Sequence, residues 1–381
     1  MSLLSDIKVG SINLKNRIAL APLTRSRAVG GIPNDIMKKY YVDRANAGLL
    51  ISEACHISPD AVGWVDCPGI YTEEQVHEWK KITDAVHEAG GKIVVQLWHQ
   101  GRQSHYDFFD GEKPVAPSAI LCKGNITTPL GHKKFSEPRA LEVDEIESII
   151  KDYAESAKLA MEAGFDGVEI HAANGYLPDQ FIQKCSNNRD DHYGGSFENR
   201  YRFCKEVIHA VKEAIGADKT GIRLGPNGIY GDMGSEDNRE MFTYVFEEVA
   251  KEDLAYCHVI DGFFGGGFHG FGEPYKLSEV KDIFKKVQGE NPYTVIMGNC
   301  GYTFETAEKA IENNYGEMIA FGTAFMANPD LVEKYKNGVK WEDLNENYHH
   351  KYWYKPGFGE EGYNYPPKME PEEPENEPEQ S

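Results

Sequence analysis

Long apolar runs are missing from this chain of 381 residues. A membrane-spanning helix needs about 20 consecutive apolar residues, and no stretch of the sequence approaches that length. The first residues, Met1 to Lys15, also lack the basic region and apolar block of a secretory signal. We therefore expect no membrane partner and a cytoplasmic location.

The chain also lacks closely spaced cysteine pairs and an excess of positive charge. The seven cysteines never adopt Cys-x-x-Cys spacing, so the sequence signals neither a disulfide framework nor a zinc or iron–sulfur site, and we expect no metal. Lys and Arg number 40 against 61 Asp and Glu, which gives a formal net charge of −21. Because nucleic acids are bound by basic surfaces, a nucleic-acid partner is not expected.

The sequence does contain eight short apolar runs, most of them followed by an amphipathic segment. Their nearly continuous apolar character is typical of buried parallel strands. The runs are Arg17–Leu23, Leu49–His56, Lys92–Trp98, Gly167–His171, Thr220–Leu224, Ala255–Ile260, Tyr293–Met297 and Met318–Phe321. Eight alternating strand–helix units predict an α/β fold with a single (β/α)₈ TIM barrel, although the count alone also permits a doubly wound open sheet.

The segments between the strands have a period near 3.6 residues and predict helices. These segments are Asp35–Ala47, Glu73–Ala89, Asp144–Ala163, Phe197–Ile215, Arg239–Lys251, Leu277–Val287, Thr303–Asn313 and Leu331–Lys336. Glycines that would end helices in the left-handed conformation follow five of them, at Gly48, Gly90, Gly164, Gly216 and Gly338.

Three parts of the chain depart from this alternation. Trp98 to Arg139 is too long for a simple connection, so we expect an insertion after strand three that holds a small hairpin or lid. The loop Gly262–Gly272 is rich in glycine and phenylalanine and could move over the site. We expect one domain over residues 1–366 and a disordered acidic tail over residues 367–381, because the tail is rich in proline and glutamate with almost nothing apolar.

Polar side chains follow the fourth strand, where the working residues of a barrel lie. His171, Asn174 and Tyr176 emerge within six residues. His171 and Asn174 can both bind one carbonyl oxygen and stabilise the enolate that forms when hydride adds to the β-carbon. Tyr176, a phenol with a pKa of about 10, can then give its proton to the α-carbon. A satisfied turn is the common alternative for a histidine and an asparagine at a strand end.

The ends of three other strands suit a flavin. Thr24 and Gln96 offer a hydroxyl and an amide to the pyrimidine edge of an isoalloxazine ring, and Arg223 would stabilise the anionic reduced ring. Each has a plainer alternative: a turn hydroxyl for Thr24, a barrel-interior amide for Gln96 and an ion pair with Glu169 for Arg223.

Glycines follow strands seven and eight, where phosphate usually binds in this fold. Gly298–Gly301 and Gly322-Thr323 provide backbone N–H groups that can approach an anion closely. Glycine after a strand is also common in simple turns, so this signal is weak when taken alone.

From about Lys15 to Pro366 the chain resembles the classical branch of the old yellow enzyme family, which includes 12-oxophytodienoate reductases. The most specific stretches are Gly164–Leu177 (GFDGVEIHAANGYL), Gln180-Phe181 and Arg189–Arg200 (RDDHYGGSFENR). Supporting matches are Asn16-Arg17, Ala21–Arg25, Gln96–Arg102, Ala327–Leu331 and Gly362–Pro366.

The resemblance implies an FMN-dependent ene-reductase that takes hydride from NADPH or NADH through FMN N5 and passes it to the β-carbon of an α,β-unsaturated carbonyl compound. It implies His171 and Asn174 as carbonyl ligands and Tyr176 as proton donor. It also implies two sets of binding residues. FMN contacts come from Pro22, Leu23, Thr24, Ala54, Gln96, Arg223, Asn299, Cys300, Gly322 and Thr323, and the substrate pocket is shaped by Trp98 and Tyr363.

One position departs from the family pattern. The family has an arginine on the FMN phosphate after strand eight, whereas this chain has Phe321-Gly322-Thr323. Loss of a charge-assisted hydrogen bond costs about 1.5–3 kcal/mol. We therefore expect FMN binding weaker by roughly one to two decades, unless a nearby Lys or Arg takes this role.

Several alternatives remain open at this stage. A barrel hydrolase would need two facing carboxylates, and strand seven ends without an acid. A quinone or nitro-compound reductase, or a flavin-binding barrel without catalysis, would keep the same cofactor residues. The sequence does not distinguish NADPH from NADH, because it has no dinucleotide fingerprint, nor a monomer from a homodimer.

Overall fold

The computed structural model describes residues 1–262, 270–344, 356–357 and 359–364. In chain order, its strands are β1 (Ile7–Val9), β2 (Ile12–Leu14), β3 (Ile18–Leu20), β4 (Leu49–His56), β5 (Ile93–Trp98), β6 (Val115–Ala116), β7 (Asn125–Thr128), β8 (Gly131–Lys134), β9 (Arg139–Ala140), β10 (Gly167–Ala172), β11 (Thr220–Leu224), β12 (Tyr256–Ile260), β13 (Val295–Asn299) and β14 (Met318–Phe321). Its α-helices are α1 (Asp35–Asp43), α2 (Glu73–Glu88), α3 (Val143–Glu162), α4 (Leu177–Ile182), α5 (Phe197–Ile215), α6 (Asn238–Val249), α7 (Leu277–Gln288), α8 (Phe304–Glu312), α9 (Thr323–Ala327) and α10 (Leu331–Lys336).

Eight parallel strands close into a barrel in the order β10-β11-β12-β13-β14-β3-β4-β5. Closure is made by β14 and β3, where Ile319 pairs with Ile18, so the open-sheet alternative is excluded. Every residue of these eight strands is buried. The predicted TIM barrel is confirmed, and its continuous apolar runs reflect strands covered on both faces.

The core has two parts. The larger part lies between strands and helices, as where the rings of Trp79 on α2 and Phe165 pack 5.1 Å apart. The smaller part joins the β1–β2 hairpin to the first residues of the barrel strands, including Leu49 and Met318. The hairpin therefore covers the amino-terminal end of the barrel and leaves the carboxyl end of the strands for the site. This hairpin was not predicted from the sequence.

The glycines predicted to follow helices do so with one exception. Gly164 and Gly216 adopt φ of 83° and 94° after α3 and α5. At the other end of a helix, Thr72 and Gln75 form a capping box at the start of α2. Gly48 was predicted to end a helix, but α1 already stops at Asp43. Gly48 instead lies against the backbone of Asn16, where a Cβ would be 2.1 Å from the carbonyl oxygen.

The predicted insertion after the third barrel strand is present. It contains the antiparallel β7–β8 hairpin and the short parallel β6–β9 pair. The loop Gly262–Gly272 is described only at its ends, and the predicted acidic tail lies outside the described residues. Within the described parts of the chain, no helix is both long and apolar enough to cross a membrane.

Candidate active site

A tight turn after β10 carries the three residues predicted to act on substrate. His171 is the next-to-last residue of the strand, while Asn174 and Gly175 have φ of 58° and 70°. Four hydrogen bonds hold the turn: Gln103 Nε2 donates to the carbonyl oxygens of Asn174 and Gly175 at 2.7 Å each, Gln180 Nε2 donates to Gly175 O at 2.7 Å, and Gly175 N donates to Asp179 Oδ2 at 2.8 Å. The carbonyl oxygens of Asn174 and Gly175 and the N–H of Gly175 are therefore satisfied within the turn, which carries Asn174 three residues after His171.

Aromatic packing brings the other members of the predicted site together. The Tyr176 ring lies 4.8 Å from the rings of both Trp98 and His171, measured between centroids, and the latter two are 6.5 Å apart. Ala54 and Cys67 pack against Trp98 and Tyr176. The structure thus places four predicted residues, from β4, β5 and β10, around one point at the mouth of the barrel.

Unsatisfied polar atoms line this mouth. His171 Nδ1, Trp98 Nε1 and Arg223 Nε are buried and have no hydrogen-bond partner among the described residues. A buried donor without a partner costs about 1–3 kcal/mol, so such atoms cluster where a ligand supplies the missing contact. The donor set suits the carbonyls and ring nitrogens of a flavin and the oxygen of a substrate.

Burial sets the protonation of the two central residues. Burial, together with the charges of Arg223 and His258, holds the pKa of His171 well below its usual range. Burial also raises the pKa of Tyr176 well above that of an ordinary phenol, and Tyr230 adds to this shift. At neutral pH the imidazole is therefore uncharged and the phenol keeps its proton.

A buried polar cluster lies beneath this pair. Gln96 Nε2 donates to Glu169 Oε1 at 2.7 Å, and His258 Nδ1 lies 2.9 Å from Glu169 Oε2. Burial would raise the pKa of Glu169, but His258 and Arg223 outweigh it and the pKa lies below its usual value. Gln96 is thus in part the barrel-interior amide of the plainer alternative, with its carbonyl oxygen and second N–H still able to serve a ligand.

Arg223 does not take Glu169 as its hydrogen-bond partner. Its Nη2 donates to Asn299 Oδ1 at 2.7 Å, and its Nη1 lies 3.4 Å from Asn174 Oδ1. Arg223 therefore connects the turn that carries Asn174 with the end of β13.

The ends of β13 and β14 form the region predicted to hold phosphate. Asn299 Nδ2 donates to Ala320 O at 2.8 Å, and Cys300 adopts φ of 87°. Gly322 precedes α9, whose first residue, Thr323, is exposed. The structure therefore brings the ends of these two strands together, as the prediction requires.

An unexpected acid also lies in this region. Asp261 accepts from Asn299 N at 3.1 Å and from the Tyr302 hydroxyl, and burial raises the pKa of Asp261 to about 7.

The predicted flavin-binding residues Pro22, Leu23 and Thr24 lie just after β3. Leu23 follows Pro22 and Ala21 at the end of β3 and packs against Met326 and Ala327. Thr24 is half-buried one residue further on.

Tyr363 is fully buried. Its hydroxyl donates to Glu53 Oε1 at 3.0 Å and its ring lies under the Arg25 guanidinium at 4.5 Å. Its role in shaping a pocket stays a prediction.

Besides Asp261, two residues of the site were not anticipated from the sequence. His258 is the one polar residue within the apolar run of strand six. A polar residue in a buried strand is a signal from which a role at the site could have been predicted. Tyr230 belongs to the connection between β11 and α6, where the sequence has no periodic pattern, so only the folded chain reveals its contact with Tyr176.

Comparisons with known proteins identify relatives of this chain. The model of the NADH:flavin oxidoreductase / NADH oxidase family matches residues 2–342. Putative 12-oxophytodienoate reductase 11 of Oryza sativa subsp. japonica is 41% identical over 337 residues, covering 88% of this chain and 90% of that protein. 12-oxophytodienoate reductase 2 of Arabidopsis thaliana is 38% identical over 341 residues, covering 88% of each chain.

Solved structures of related enzymes superimpose on this chain. The old yellow enzyme homologue from Zymomonas mobilis superimposes with a TM-score of 0.89 at 39% identity, covering 97% of this chain and all of the other. Morphinone reductase in complex with tetrahydroNAD superimposes with a TM-score of 0.85 at 37% identity, covering 97% and 98%.

The barrel is that of a flavin oxidoreductase. The chain belongs to the NADH:flavin oxidoreductase / NADH oxidase family, and the predicted resemblance to the old yellow enzymes is confirmed. The predicted class of enzyme, an NAD(P)H-dependent FMN oxidoreductase, is confirmed with it.

Proposed function

We propose that this protein reduces the carbon–carbon double bond of α,β-unsaturated carbonyl compounds, with NADPH or NADH as the source of electrons. The observation that carries the proposal is a neutral imidazole and a protonated phenol, from His171 and Tyr176, whose rings lie 4.8 Å apart at the barrel mouth, with Asn174 on the turn between them. The names of the relatives, oxophytodienoate and morphinone reductases, support a small organic substrate.

FMN, when bound, would accept hydride from the nicotinamide and deliver it to the β-carbon of the substrate. Three residues suit the ring through their chemistry: Thr24 and Gln96 offer hydrogen-bonding groups, and Arg223 offers positive charge. Pro22, Leu23 and Ala54 are apolar groups at strand ends of the same mouth. For the phosphate we propose Asn299, Cys300, Gly322 and Thr323. Cys300, Gly322 and Thr323 would offer backbone N–H groups and a hydroxyl but no charge, while Asn299, whose own N–H donates to Asp261, holds the end of β13 in place.

His171 and Asn174 would hold the carbonyl oxygen of the substrate. A neutral imidazole keeps one N–H to donate, and the Asn174 amide can donate a second hydrogen bond. Both contacts strengthen as negative charge develops on the oxygen, because fixed donors in a water-poor site need no reorganisation. Together they polarise the double bond and stabilise the enolate.

Tyr176 would give its proton to the α-carbon. Its side chain is only 7% exposed, so the carbanion-like carbon meets a positioned O–H in place of bulk water. The raised pKa keeps the phenol protonated until charge develops on the substrate. Trp98 packs edge-on against this ring and fixes its orientation.

The test compares the two halves of the catalytic cycle. Purified protein loaded with FMN should be yellow, and cyclohexenone should stimulate its oxidation of NADPH. Tyr176→Phe should slow reoxidation by cyclohexenone by about 10²-fold or more and leave reduction by NADPH nearly unchanged. Equal loss in both half-reactions would contradict the assignment.

Two alternatives give different results in the same experiment. A flavin-binding barrel without catalysis would be yellow yet unresponsive to cyclohexenone. A quinone or nitro-compound reductase would respond to those oxidants, and its turnover would be indifferent to Tyr176→Phe because no carbon is protonated.

A further inference from the structure

Tyr176 has to recover a proton after each turnover, and its surroundings restrict how water can supply it. The side chain is 7% exposed, and the rings of Trp98 and His171 pack 4.8 Å from it on two sides. The imidazole is held neutral by burial, so it is a poor proton source. A buried phenolate at this position would be costly to leave uncompensated.

One neighbour of Tyr176 does reach solvent. The Tyr230 side chain is 46% exposed, and its ring centroid lies 6.5 Å from that of Tyr176 in an edge-to-face contact. Side-chain hydrogen bonding between the two phenols contributes to the raised pKa of Tyr176. A phenol hydroxyl can both donate and accept. Tyr230 is therefore exposed to water and packs against the side chain of the residue that loses the proton.

The backbone around Tyr230 is fixed against the catalytic turn. A Cβ placed on Gly175 would lie 2.8 Å from the carbonyl oxygen of Tyr230, so the two loops are in direct contact. Arg102 Nη2 donates to the carbonyl oxygens of Gly231 and Asp232, both at 3.0 Å. These contacts hold Tyr230 at a set distance from Tyr176 and do not depend on its hydroxyl.

We propose that Tyr230 is a positioning residue that returns protons from solvent to Tyr176. In the step that rests on the proposed function, the Tyr176 O–H bond breaks and a C–H bond forms at the α-carbon of the substrate. The Tyr176 oxygen then takes the Tyr230 proton, and Tyr230 takes one from water. One solvent proton is consumed per substrate reduced, and the two electrons arrive with the hydride.

Tyr230→Phe removes the hydroxyl and keeps the ring. We expect reoxidation of the reduced holoenzyme by cyclohexenone to slow on the order of tenfold and its solvent deuterium isotope effect to change, because water must then reach Tyr176 directly. Reduction of the holoenzyme by NADPH should be unchanged. Tyr315→Phe, at a tyrosine of similar exposure (45%), is the matched control and should leave both half-reactions unchanged.

A double-mutant cycle separates a relay from a packing role. If Tyr230 acts through Tyr176, adding Tyr230→Phe to Tyr176→Phe has no further effect on reoxidation. A loss that persists in the Tyr176→Phe background would overturn the relay, as would a Tyr230→Phe enzyme that reoxidises at the parent rate. If Tyr176→Phe itself is silent, the proton-donor assignment and the relay both fall.

Discussion

His171 and Arg223 stand at the same level of the neighbouring strands β10 and β11, directly paired in the register of the barrel. The guanidinium adds to burial in lowering the pKa of the imidazole. The same arginine binds Asn299 and approaches Asn174. One cation therefore assists burial in keeping His171 neutral and ties the carbonyl-binding turn to the region proposed for phosphate.

The neutral state of His171 predicts how ligand binding depends on pH. A group whose folded pKa lies well below its usual value of about 6.5 does not titrate between about pH 6 and about pH 8. We expect the affinity of the holoenzyme for a phenol, followed by flavin absorbance, to show no inflection near pH 6.5 that belongs to His171. An inflection present in the parent and lost in His171→Asn would contradict this.

A positively charged side chain at position 323 is predicted to increase the affinity for FMN. Thr323 is exposed at the start of α9 and brings no charge. Thr323→Arg should tighten FMN binding to the apoprotein by about ten- to hundredfold, since a charge-assisted hydrogen bond is worth about 1.5–3 kcal/mol. Thr127→Arg, at an exposed position of β7, adds the same charge elsewhere and should leave the affinity unchanged. If Thr323→Arg binds FMN no more tightly than the parent, the weakness inferred from the sequence is wrong.

Gly175 is predicted to be intolerant of a side chain for two reasons. Its φ is 70°, and an added Cβ would lie 2.6 Å from Met233 Cγ and 2.8 Å from both Gln103 Nε2 and Tyr230 O. Gly175→Ala should lower the free energy of unfolding by about 2–4 kcal/mol and slow cyclohexenone reduction by moving Asn174.

Gly90→Ala isolates the backbone part of this cost. Gly90 has φ of 75° with nothing within 4 Å of the added atom, so only the left-handed strain of about 1–2 kcal/mol applies. Equal losses for the two variants in urea denaturation would show that crowding at Gly175 does not matter.

Glu53 predicts a local dependence of stability on pH. Burial raises the pKa of this carboxyl to about 7, although Tyr363 and Arg25 oppose the shift. Between about pH 4.5 and pH 7 the native chain keeps a proton that the unfolded chain has released, so the stability from this group is present at low pH and is lost as pH rises through 7.

The Glu53→Gln variant has no carboxyl to titrate at this position, so it tests the predicted pH dependence of stability directly. Its free energy of unfolding, taken relative to the parent, should become more favourable between about pH 5 and about pH 8. The exposed Glu290→Gln is the control, and its difference from the parent should be flat across that range. A flat difference for Glu53→Gln as well would show that this carboxyl does not titrate there.

The sequence by itself determined the barrel and most of the residues at its mouth. Continuous apolar runs can be read because parallel strands are buried on both faces, and the spacing of His171, Asn174 and Tyr176 is local to one strand end. Tertiary structure alone decided what those residues touch. The binding of Glu169 by Gln96 and His258, the link from Arg223 to Asn299, and the contact of Tyr230 with Tyr176 all join residues far apart in the chain. Such pairings depend on strand register and loop packing. A local sequence pattern carries no information about either.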